Sequence, residues 1–342
     1  MNGFTNCTKR FRRLGAVGAA GLLLALTACA ENAPQTTFEP AGPVARTINN
    51  LANPVFIVAG IVFLLVQGLV VVAVVKFRAR PGDDGPEPRQ VHGNTRLEVG
   101  WTLIPALILF AIAIPTIKTI FDLSHTPDNA LNVTVIGHQF WWEYRYDDLG
   151  ISTANELNIP AGVPVDLTLE SVDVIHSYWI PALAGKTDVI PGRTNRMHFE
   201  ADNPGTYLGQ CTEFCGLSHA NMRALAIAHT PAEFDAWVAA QRAPAVTPGS
   251  SSAAFEGLNL FNAKGCAGCH TVAGVSKGKI GPELTHLYSR TTFAGSMFAL
   301  DDENLRLWLE NPPGVKPGSL MPNLGLTEEE ITQLIAYLET LK

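Results

Sequence analysis

The sequence predicts a multidomain membrane protein that consists of a two-helix transmembrane hairpin, an all-β sandwich and a small all-α domain. Three observations predict this architecture. Two uncharged apolar runs stand at Leu51–Val75 and Val99–Ile117, strand-like alternation follows from residue 123, and helical periodicity returns after residue 252. Of the 342 residues, 47% are hydrophobic and 16% charged, an apolar content that is high for a wholly soluble protein.

The N-terminus has the pattern of an export signal. A basic cluster precedes an apolar run, Leu14–Ala28, that is short for a membrane span. The run ends in Leu-Thr-Ala-Cys, which resembles the bacterial lipoprotein cleavage box and implies removal of residues 1–28 and attachment of lipid to Cys29. The alternative is an ordinary signal or an uncleaved anchor. Residues 29–53 are polar and contain proline, so we expect a periplasmic tether there.

Residues 54–122 are predicted to form the hairpin, with helices at about 54–76 and 98–120. Roughly 20 apolar residues are enough for a helix to cross the hydrocarbon core. The connecting loop is rich in Lys and Arg, whereas the segment before the first span has only Arg46. The positive-inside bias therefore places the loop in the cytoplasm of a bacterial cell, and both ends of the mature chain on the periplasmic side of the inner membrane. Glu98 begins the second span, either as an interfacial carboxylate or as part of a proton pathway.

Residues 123–242 are predicted to form an antiparallel sandwich or barrel, because short apolar or alternating runs are separated by Gly/Pro turns. The predicted strands are 131–136, 163–169, 196–199 and 222–228. Thr230 and Glu233 form a capping box that opens a helix reaching Arg242. Acidic residues outnumber basic ones in this part of the chain. That excess argues against nucleic acid as a partner and favours a basic protein.

A linker rich in Pro, Thr, Gly and Ser, residues 243–252, precedes the last domain. In residues 253–342 the sequence predicts helices at Ala253–Lys264, Asp301–Glu310 and Thr327–Leu341. The last of these places Ile331, Leu334, Ile335 and Leu338 on one face. This pattern indicates a small α domain that packs around a common centre.

The segment Gly209–Met222 gathers soft metal ligands within one loop. Cys211 and Cys215 are followed by His219 and Met222, and thiolates with imidazole and a thioether favour copper. A single histidine leaves a copper pair short of ligands, and His176 is the best-placed candidate to complete the site. Two alternatives are a disulfide between the cysteines and a single zinc ion.

The α domain carries a second redox motif, Cys266-Ala-Gly-Cys269-His270, which reads as covalent attachment of haem c. The alternatives are a redox dithiol or a zinc site. Gly281-Pro282 resembles the turn beside the haem histidine in class I cytochromes c, and Met321 resembles their second axial ligand. Met297 competes with Met321, but its surroundings of Phe, Ala and Leu are typical of core packing.

From the hairpin through Arg242 the chain resembles subunit II of cytochrome c oxidase, with a class I cytochrome c domain at its C-terminus. The resemblance implies that the β domain is a cupredoxin-like sandwich with a binuclear copper centre, CuA. In that family two bridging thiolates are joined by two histidines, a methionine and a main-chain carbonyl. The corresponding residues here are Cys211, Cys215, His176, His219, Met222 and Glu213.

The resemblance also implies functional positions outside the copper ligands. The Glu213 carboxylate is expected to reach a magnesium site shared with subunit I, and Glu98 to stand at the mouth of a proton channel. The family usually has tryptophan directly after His-Gln as the electron-entry residue, whereas this chain has Phe140 followed by Trp141. The entry residue is therefore either of these two, and Trp141 is alternatively a plain aromatic residue of a strand.

These expectations give one function. Electrons from cytochrome c or another donor enter the fused haem, pass to the copper pair and leave for subunit I, where oxygen is reduced with proton pumping. The expected partners are subunit I, subunit III, the donor and membrane lipid. The alternatives are a CuA-containing nitric oxide reductase subunit, a free-standing membrane electron carrier and a quinol oxidase subunit, which lacks the copper ligands. The remaining histidines are expected on the surface or in the core: His92, His125, His138, His198, His229 and His286.

Overall fold

The computed structural model describes residues 34–78, 85 and 90–342. From Thr37 to Lys342 the chain forms one compact unit. The predicted export signal (1–28), the predicted lipid attachment at Cys29 and part of the basic connecting loop lie outside the described residues.

Two long helices, α1 (Pro43–Lys76) and α2 (Thr95–Ser124), correspond to the predicted spans and contact each other. Both are long and apolar enough to cross a membrane. Prolines lie inside each helix, at Pro54 in α1 and at Pro105 and Pro115 in α2. The prediction of two membrane helices is therefore confirmed.

The first helix begins well before the predicted span, so the tether prediction for residues 29–53 is wrong from Pro43 onward. The physical reason is tertiary contact. Val44 and Ala45 are buried, the Ala45 N–H donates to the Leu183 carbonyl at 3.2 Å, and Arg46 forms an ion pair with Asp202. The polar first turns of α1 therefore pack on the β domain. The second helix likewise extends beyond the predicted limits of 98–120 at both ends.

The described residues between 131 and 229 form ten strands. In chain order they are β1 (Leu131–His138), β2 (Trp141–Tyr146), β3 (Ile151–Ala154), β4 (Glu156–Pro160), β5 (Val165–Ser171), β6 (His176–Trp179), β7 (Thr187–Val189), β8 (Asn195–Phe199), β9 (Gly205–Cys211) and β10 (Arg223–His229). They form two five-stranded sheets, with strand orders β3-β2-β1-β5-β8 and β4-β10-β9-β6-β7.

The two sheets enclose one apolar core, whose largest fully buried side chains include Trp142, Tyr144 and Tyr178. The predicted sandwich is confirmed, but the expectation that it is antiparallel throughout is wrong. The pairs β1–β5 and β4–β10 are parallel. Alternation of apolar residues reports which face of a strand is buried and says nothing about the direction of its neighbour.

Three neighbouring strand ends meet at one edge of the second sheet. β6 and β10 both run antiparallel to β9. The start of β6 at His176, the end of β9 at Cys211 and the start of β10 just after Met222 therefore come together. Residues that are far apart in sequence are placed side by side by this topology.

A helix, α3 (Pro231–Gln241), packs on the β domain through contact of Trp237 with Tyr146. Within the helix, Trp237 stacks on Phe234. The predicted capping box of Thr230 and Glu233 is present. The following segment, 243–252, contains no helix or strand in the described structure. It is nevertheless tied to the α domain, because the His286 imidazole bonds the Ala243 carbonyl at 3.1 Å.

The α domain has its own apolar core, in which helices α4 (Ala253–Ala263) and α8 (Glu328–Leu338) contact each other. The predicted capping box of Thr327 and Glu330 opens α8, and the predicted face of Ile331, Leu334, Ile335 and Leu338 is buried. Its elements are α4 (Ala253–Ala263), α5 (Cys266–Cys269), β11 (Thr271–Val272), β12 (Ser276–Lys277), β13 (Thr292–Phe293), β14 (Phe298–Ala299), α6 (Asp302–Glu310), α7 (Pro312–Val315) and α8 (Glu328–Leu338).

Candidate functional site

The residues of the predicted copper loop come together at the edge of the second sheet. The Cys211 sulfur lies 3.8 Å from His176 Nδ1 and 3.9 Å from the Cys215 sulfur. The Cys215 sulfur lies 3.6 Å from His219 Nδ1 and 3.9 Å from the Met222 sulfur. Among the described residues, His176, Cys211 and Cys215 form a buried group whose donor atoms lie within 4.8 Å of one another. Such a set of soft donors fits copper.

The two cysteines do not form a disulfide. Their sulfurs are 3.9 Å apart, whereas a disulfide bond measures about 2.05 Å. The contact with Cys215 lowers the pKa of Cys211 to about 4, although burial acts in the opposite direction. The same contact raises the pKa of Cys215. The contact between the two sulfurs therefore favours the thiolate of Cys211, and the thiolate is the form of cysteine that binds metal.

A carboxylate holds His176 in position. His176 is fully buried, and its Nε2 lies 2.8 Å from Asp173 Oδ1 while its Nδ1 faces the Cys211 sulfur. A carboxylate accepts the N–H of Nε2 and leaves Nδ1 free as a ligand, the usual arrangement behind a metal-binding histidine. Burial raises the pKa of Asp173, but bonds from His176 and from main-chain N–H groups outweigh this effect and leave the pKa below its ordinary value.

The imidazole of His176 lies directly against the main chain of Gly137. A Cβ atom at that position would come within 2.7 Å of the ring. Glycine is therefore required on β1 for the histidine to occupy its place.

The main-chain carbonyl and the side chain of Glu213 have different surroundings. The carbonyl oxygen lies 3.3 Å from the Cys211 sulfur, within the cluster. The residue as a whole is exposed. The structure thus places the Glu213 carbonyl among the predicted ligands and leaves its carboxylate at the protein surface.

The α domain contains a cavity of about 460 Å³ that is lined by both predicted axial ligands, His270 and Met321. Cys269 also lines it, whereas Met297 is not among its lining residues. The Trp308 indole N–H donates to the Met321 sulfur at 3.1 Å. The geometry therefore favours Met321 over Met297 as the partner of His270.

The local geometry of His270 suits an iron ligand. Its Nδ1 lies 2.8 Å from the Pro282 carbonyl, which only accepts, so Nδ1 carries the hydrogen and Nε2 is free. Burial lowers the pKa of His270 and favours the neutral ring. The turn before Pro282 approaches the ring so closely that a Cβ at Gly281 would lie 2.6 Å from Cε1. The predicted turn is thus found beside the predicted histidine.

Buried polar atoms without partners provide a further test of whether the cavity suits a haem. Among the described residues, Arg290 Nε and Asn155 Oδ1 are buried without a hydrogen-bond partner, and both residues line the cavity. Buried polar groups without partners are rare unless a ligand or water satisfies them. Haem has an apolar ring and two carboxylate groups, so it matches a mainly apolar cavity that contains a buried guanidinium.

The β domain supplies one wall of the same cavity, through His138, Gln139, Phe140 and Trp141. Trp141 stacks on His138 with ring centroids 4.0 Å apart, and His138 Nε2 lies 3.0 Å from Glu143 Oε2. Phe140 is 4% exposed. Both candidate electron-entry residues therefore face the α domain.

Glu98 lies in the first turn of α2, away from both clusters. It is exposed, and its Oε1 accepts the Asn94 N–H at 3.2 Å, so part of its hydrogen-bonding capacity serves the start of the helix. Of the other histidines, His286 and His229 bond main-chain or amide oxygens, in agreement with structural roles.

Several residues of the site were not predicted from the sequence. Asp173 stands three positions before His176, which is the only local signal it offers. His138 was expected to be merely packed or exposed, yet it lines the haem-type cavity. Trp308 and Arg290 reach the cavity from other elements of the α domain, and Gln139 Nε2 donates to the Cys215 carbonyl.

Comparison with known families divides the chain into three matched regions. Residues 31–119 match "Cytochrome C oxidase subunit II, transmembrane domain", residues 149–228 match "Cytochrome C oxidase subunit II, periplasmic domain", and residues 254–342 match "Cytochrome c". These regions correspond to the helical pair, most of the β domain and the α domain.

Related proteins match over nearly the whole chain. Cytochrome c oxidase subunit 2 of Alkalihalophilus pseudofirmus is 40% identical, covering 94% of this chain and 95% of the relative. The subunit of the same name from Bacillus sp. strain PS3 is 37% identical, covering 78% and 80%. Quinol oxidase subunit 2 of Bacillus cereus is 32% identical, covering 70% of this chain and 84% of the relative.

Proposed function

Because this chain belongs to the cytochrome c oxidase subunit II family, we propose that it carries electrons from a c-type haem in its own α domain to a binuclear copper centre, CuA, in its β domain. It is a membrane-bound redox subunit of a haem–copper oxidase. The next acceptor in this proposal is subunit I, which reduces oxygen and pumps protons.

The observation that carries the proposal is the position of the two clusters within one compact unit. The cavity that holds His270 and Met321 is walled by Phe140 and Trp141 of the β domain. Gln139, next to Phe140, donates to the carbonyl of Cys215. A short connected path of protein therefore separates the two sites.

The copper ligands in this proposal are Cys211, Cys215, His176, His219, Met222 and the Glu213 carbonyl. A copper pair held by these residues would supply one-electron chemistry with little change in geometry. The protein's contribution is to hold the donors in place. Asp173 fixes the ring of His176, the end of β9 fixes Cys211, and burial of Met222 keeps water from the cluster.

In this proposal Cys266 and Cys269 would attach the haem covalently, and His270 and Met321 would bind its iron. Histidine and methionine ligation gives a haem the high potential of an electron carrier. The Pro282 carbonyl keeps the hydrogen of His270 on Nδ1, and the Trp308 N–H donates to the sulfur of Met321. Arg290 offers a buried cation to a haem carboxylate.

The remaining parts of the proposal concern partners. The exposed Glu213 carboxylate would contribute to a magnesium site shared with subunit I, and Glu98 to the entrance of a proton channel in that subunit. Subunit III and membrane lipid complete the surroundings of α1 and α2. The β and α domains face the periplasm of a bacterial inner membrane, and cytochrome c or a similar protein delivers electrons, with Trp141 or Phe140 as the entry residue of the β domain.

The thiol pair and the haem motif distinguish the proposed oxidase from a quinol oxidase. Quinol oxidase subunit 2 is among the relatives of this chain. The sulfur donors Cys211, Cys215 and Met222 lie together in the structure and suit copper. The presence of a second, haem-type site further supports cytochrome c oxidation.

Metal and haem analysis of the purified membrane complex tests the proposed function. We expect copper as a mixed-valence pair with a delocalised resonance signal, haem that stays covalently bound after denaturation, and oxygen uptake on reduced cytochrome c. Zinc in place of copper, or a single copper ion, would refute the copper assignment. Turnover of nitric oxide without oxygen uptake would favour a nitric oxide reductase, and a complex without a large haem-containing subunit would favour a free-standing carrier.

Replacing Asp173 with asparagine is expected to weaken copper binding about 10- to 100-fold, as is usual when the partner of a metal-binding histidine is changed. The amide is a weaker acceptor for the His176 N–H than the carboxylate is. Competition between the complex and a copper chelator measures the effect. Asp188→Asn is the control, because Asp188 is exposed on the adjacent strand β7. Equal copper affinity in the two variants would contradict the role assigned to Asp173.

A further inference from the structure

Two buried charged side chains connect the β domain to the α domain. Glu156, at the start of β4, is 3% exposed, and Lys316, after α7, is 2% exposed. Charged side chains are almost never fully buried unless they are paired or hydrogen-bonded. Glu156 bonds Thr291 and Thr292 of the α domain, and Lys316 bonds Phe140 of the β domain as well as Ala294 of its own domain.

Glu156 binds the start of β13. Its Oε1 accepts from the main-chain N–H of Thr291 at 2.8 Å and of Thr292 at 2.8 Å. The same oxygen accepts from the two threonine hydroxyl groups, at 2.6 Å and 3.0 Å. Bonds to an ionised acceptor are among the strongest in proteins. One carboxylate oxygen of the β domain thus binds two consecutive residues of the α domain, Thr291 and Thr292.

Lys316 makes the reciprocal connection. Its Nζ donates to the Phe140 carbonyl at 2.7 Å and to the Ala294 carbonyl at 2.5 Å. Burial lowers the pKa of Lys316 to about 7, against an opposite effect of the Cys215 sulfur. The Lys316 amine therefore connects the loop that contains Ala294 to Phe140 of the β domain.

Two further hydrogen bonds join the α domain to residues in and beside the copper loop. The Ser218 hydroxyl donates to the Pro317 carbonyl at 2.6 Å, and the Arg223 N–H donates to the Gly295 carbonyl at 2.9 Å. Ser218 adjoins the predicted copper ligand His219. The segment Lys316–Met321, which we call the strap, therefore runs from the β domain to the predicted haem ligand Met321.

We propose that Glu156 and Lys316 lock the α domain onto the β domain in one fixed position, and that through the strap they set the separation of Met321 from the copper loop. They are positioning residues for transfer within the chain, in which the haem iron loses one electron and the copper pair gains it. Only the part of this inference that concerns electron transfer rests on the proposed function. The locked position itself requires neither metal nor haem chemistry.

The locked position has a consequence for external donors. The carbonyl of Phe140 is bonded to Lys316, and a Cβ added at Gly318 would lie 3.1 Å from the Phe140 ring. The α domain thus covers the face of Phe140. A separate donor protein cannot use that face while the lock is closed and must deliver its electron to the α domain.

Hydrogen exchange of main-chain amides in the purified full-length complex tests the lock. The Thr291 and Thr292 amides lie at the Glu156 contact and report on loss of Lys316, whereas the Arg223 amide lies near the Lys316 contact and reports on loss of Glu156. In Lys316→Met, we expect exchange at the Thr291 and Thr292 amides to become about tenfold faster or more. In Glu156→Ala, we expect a similar acceleration at the Arg223 amide. A residue with only a local structural role would accelerate exchange at its own contact and not at the distant one.

Matched controls come from ion pairs inside the α domain. Lys264→Met and Glu328→Ala remove partners of Glu330 and Arg306, neither of which bonds the β domain in these pairs, and are expected to leave all three amides unchanged. Glu156→Gln keeps an oxygen acceptor and is expected to restore slow exchange at Arg223. Should Glu156→Ala not assemble, Lys316→Met read at Thr291 and Thr292 decides the question.

A second measurement links the lock to electron transfer. After flash reduction of the haem, transfer to the copper pair is expected to slow in Lys316→Met while the haem absorbance and the copper resonance keep their shapes. Exchange confined to the local contact in both variants, or unchanged in both, overturns the lock. Absence of copper or haem from the wild-type complex would refute the proposed function instead, and the exchange result would stand without it.

Discussion

Replacing Cys215 with serine is expected to abolish the mixed-valence copper signal and to reduce oxygen uptake on cytochrome c to background. The Cys215 sulfur is the central atom of the cluster, because it contacts His219, Cys211 and Met222 at 3.6 Å, 3.9 Å and 3.9 Å. A serine hydroxyl is a hard, neutral donor and does not replace a soft thiolate towards copper. Resonance spectroscopy and copper analysis of the purified complex measure the loss.

The control for this prediction is Ala220→Ser, which introduces a hydroxyl at an exposed position of the same loop. This variant is expected to keep both the signal and the activity. The haem absorbance of Cys215→Ser is also expected to remain, since His270 and Met321 lie in the other domain. Retention of an unchanged copper signal in Cys215→Ser would remove the basis for the copper assignment.

The second large effect is expected at Met321. In Met321→Ala, the absorbance assigned to the bond between methionine sulfur and iron should disappear. The haem potential should fall by more than about 59 mV, which is a tenfold change in a one-electron equilibrium. The reason is that methionine ligation raises the potential and that Met321 lines the same cavity as His270, whose Nε2 is free. Electron delivery from reduced cytochrome c should therefore fail while the copper signal remains.

Met297→Ala is the matched control, because it removes the same side chain from a half-buried position of the α domain. Its absorbance and potential are expected to match those of the unchanged protein. Loss of the methionine band in Met297→Ala and its retention in Met321→Ala would reverse the assignment.

The grouping of the candidate donors at each site was predictable from the sequence, because most of them are close together along the chain. Cys266, Cys269 and His270 lie within five consecutive residues, and Cys211 to Met222 occupy one loop. His176 lies outside this loop, and it was predicted as a ligand only because a copper pair needs a further nitrogen donor. The capping boxes at Thr230 and Thr327 were predictable for the same reason, since a cap depends on residues three positions apart.

Contacts between distant segments were not predictable in this way. Glu156 and Thr291 are separated by 135 positions. Nothing in the neighbourhood of either residue indicates the other. Lys316 and Phe140 are 176 positions apart. The parallel pairs of strands were missed because side-chain alternation does not report strand direction, and the early start of α1 was missed because its polar first turns are held by contacts with the β domain.

The early start of α1 joins this helix to the β domain. A helix of 34 residues is about 51 Å long, whereas the hydrocarbon core is about 30 Å thick. The helix is thus longer than the hydrocarbon core is thick, and its first turn contacts the β domain through Val44, Ala45 and Arg46. The β domain and the N-terminal turns of α1 are therefore expected to move together, because the contacts of Val44, Ala45 and Arg46 continue the helix into the β domain.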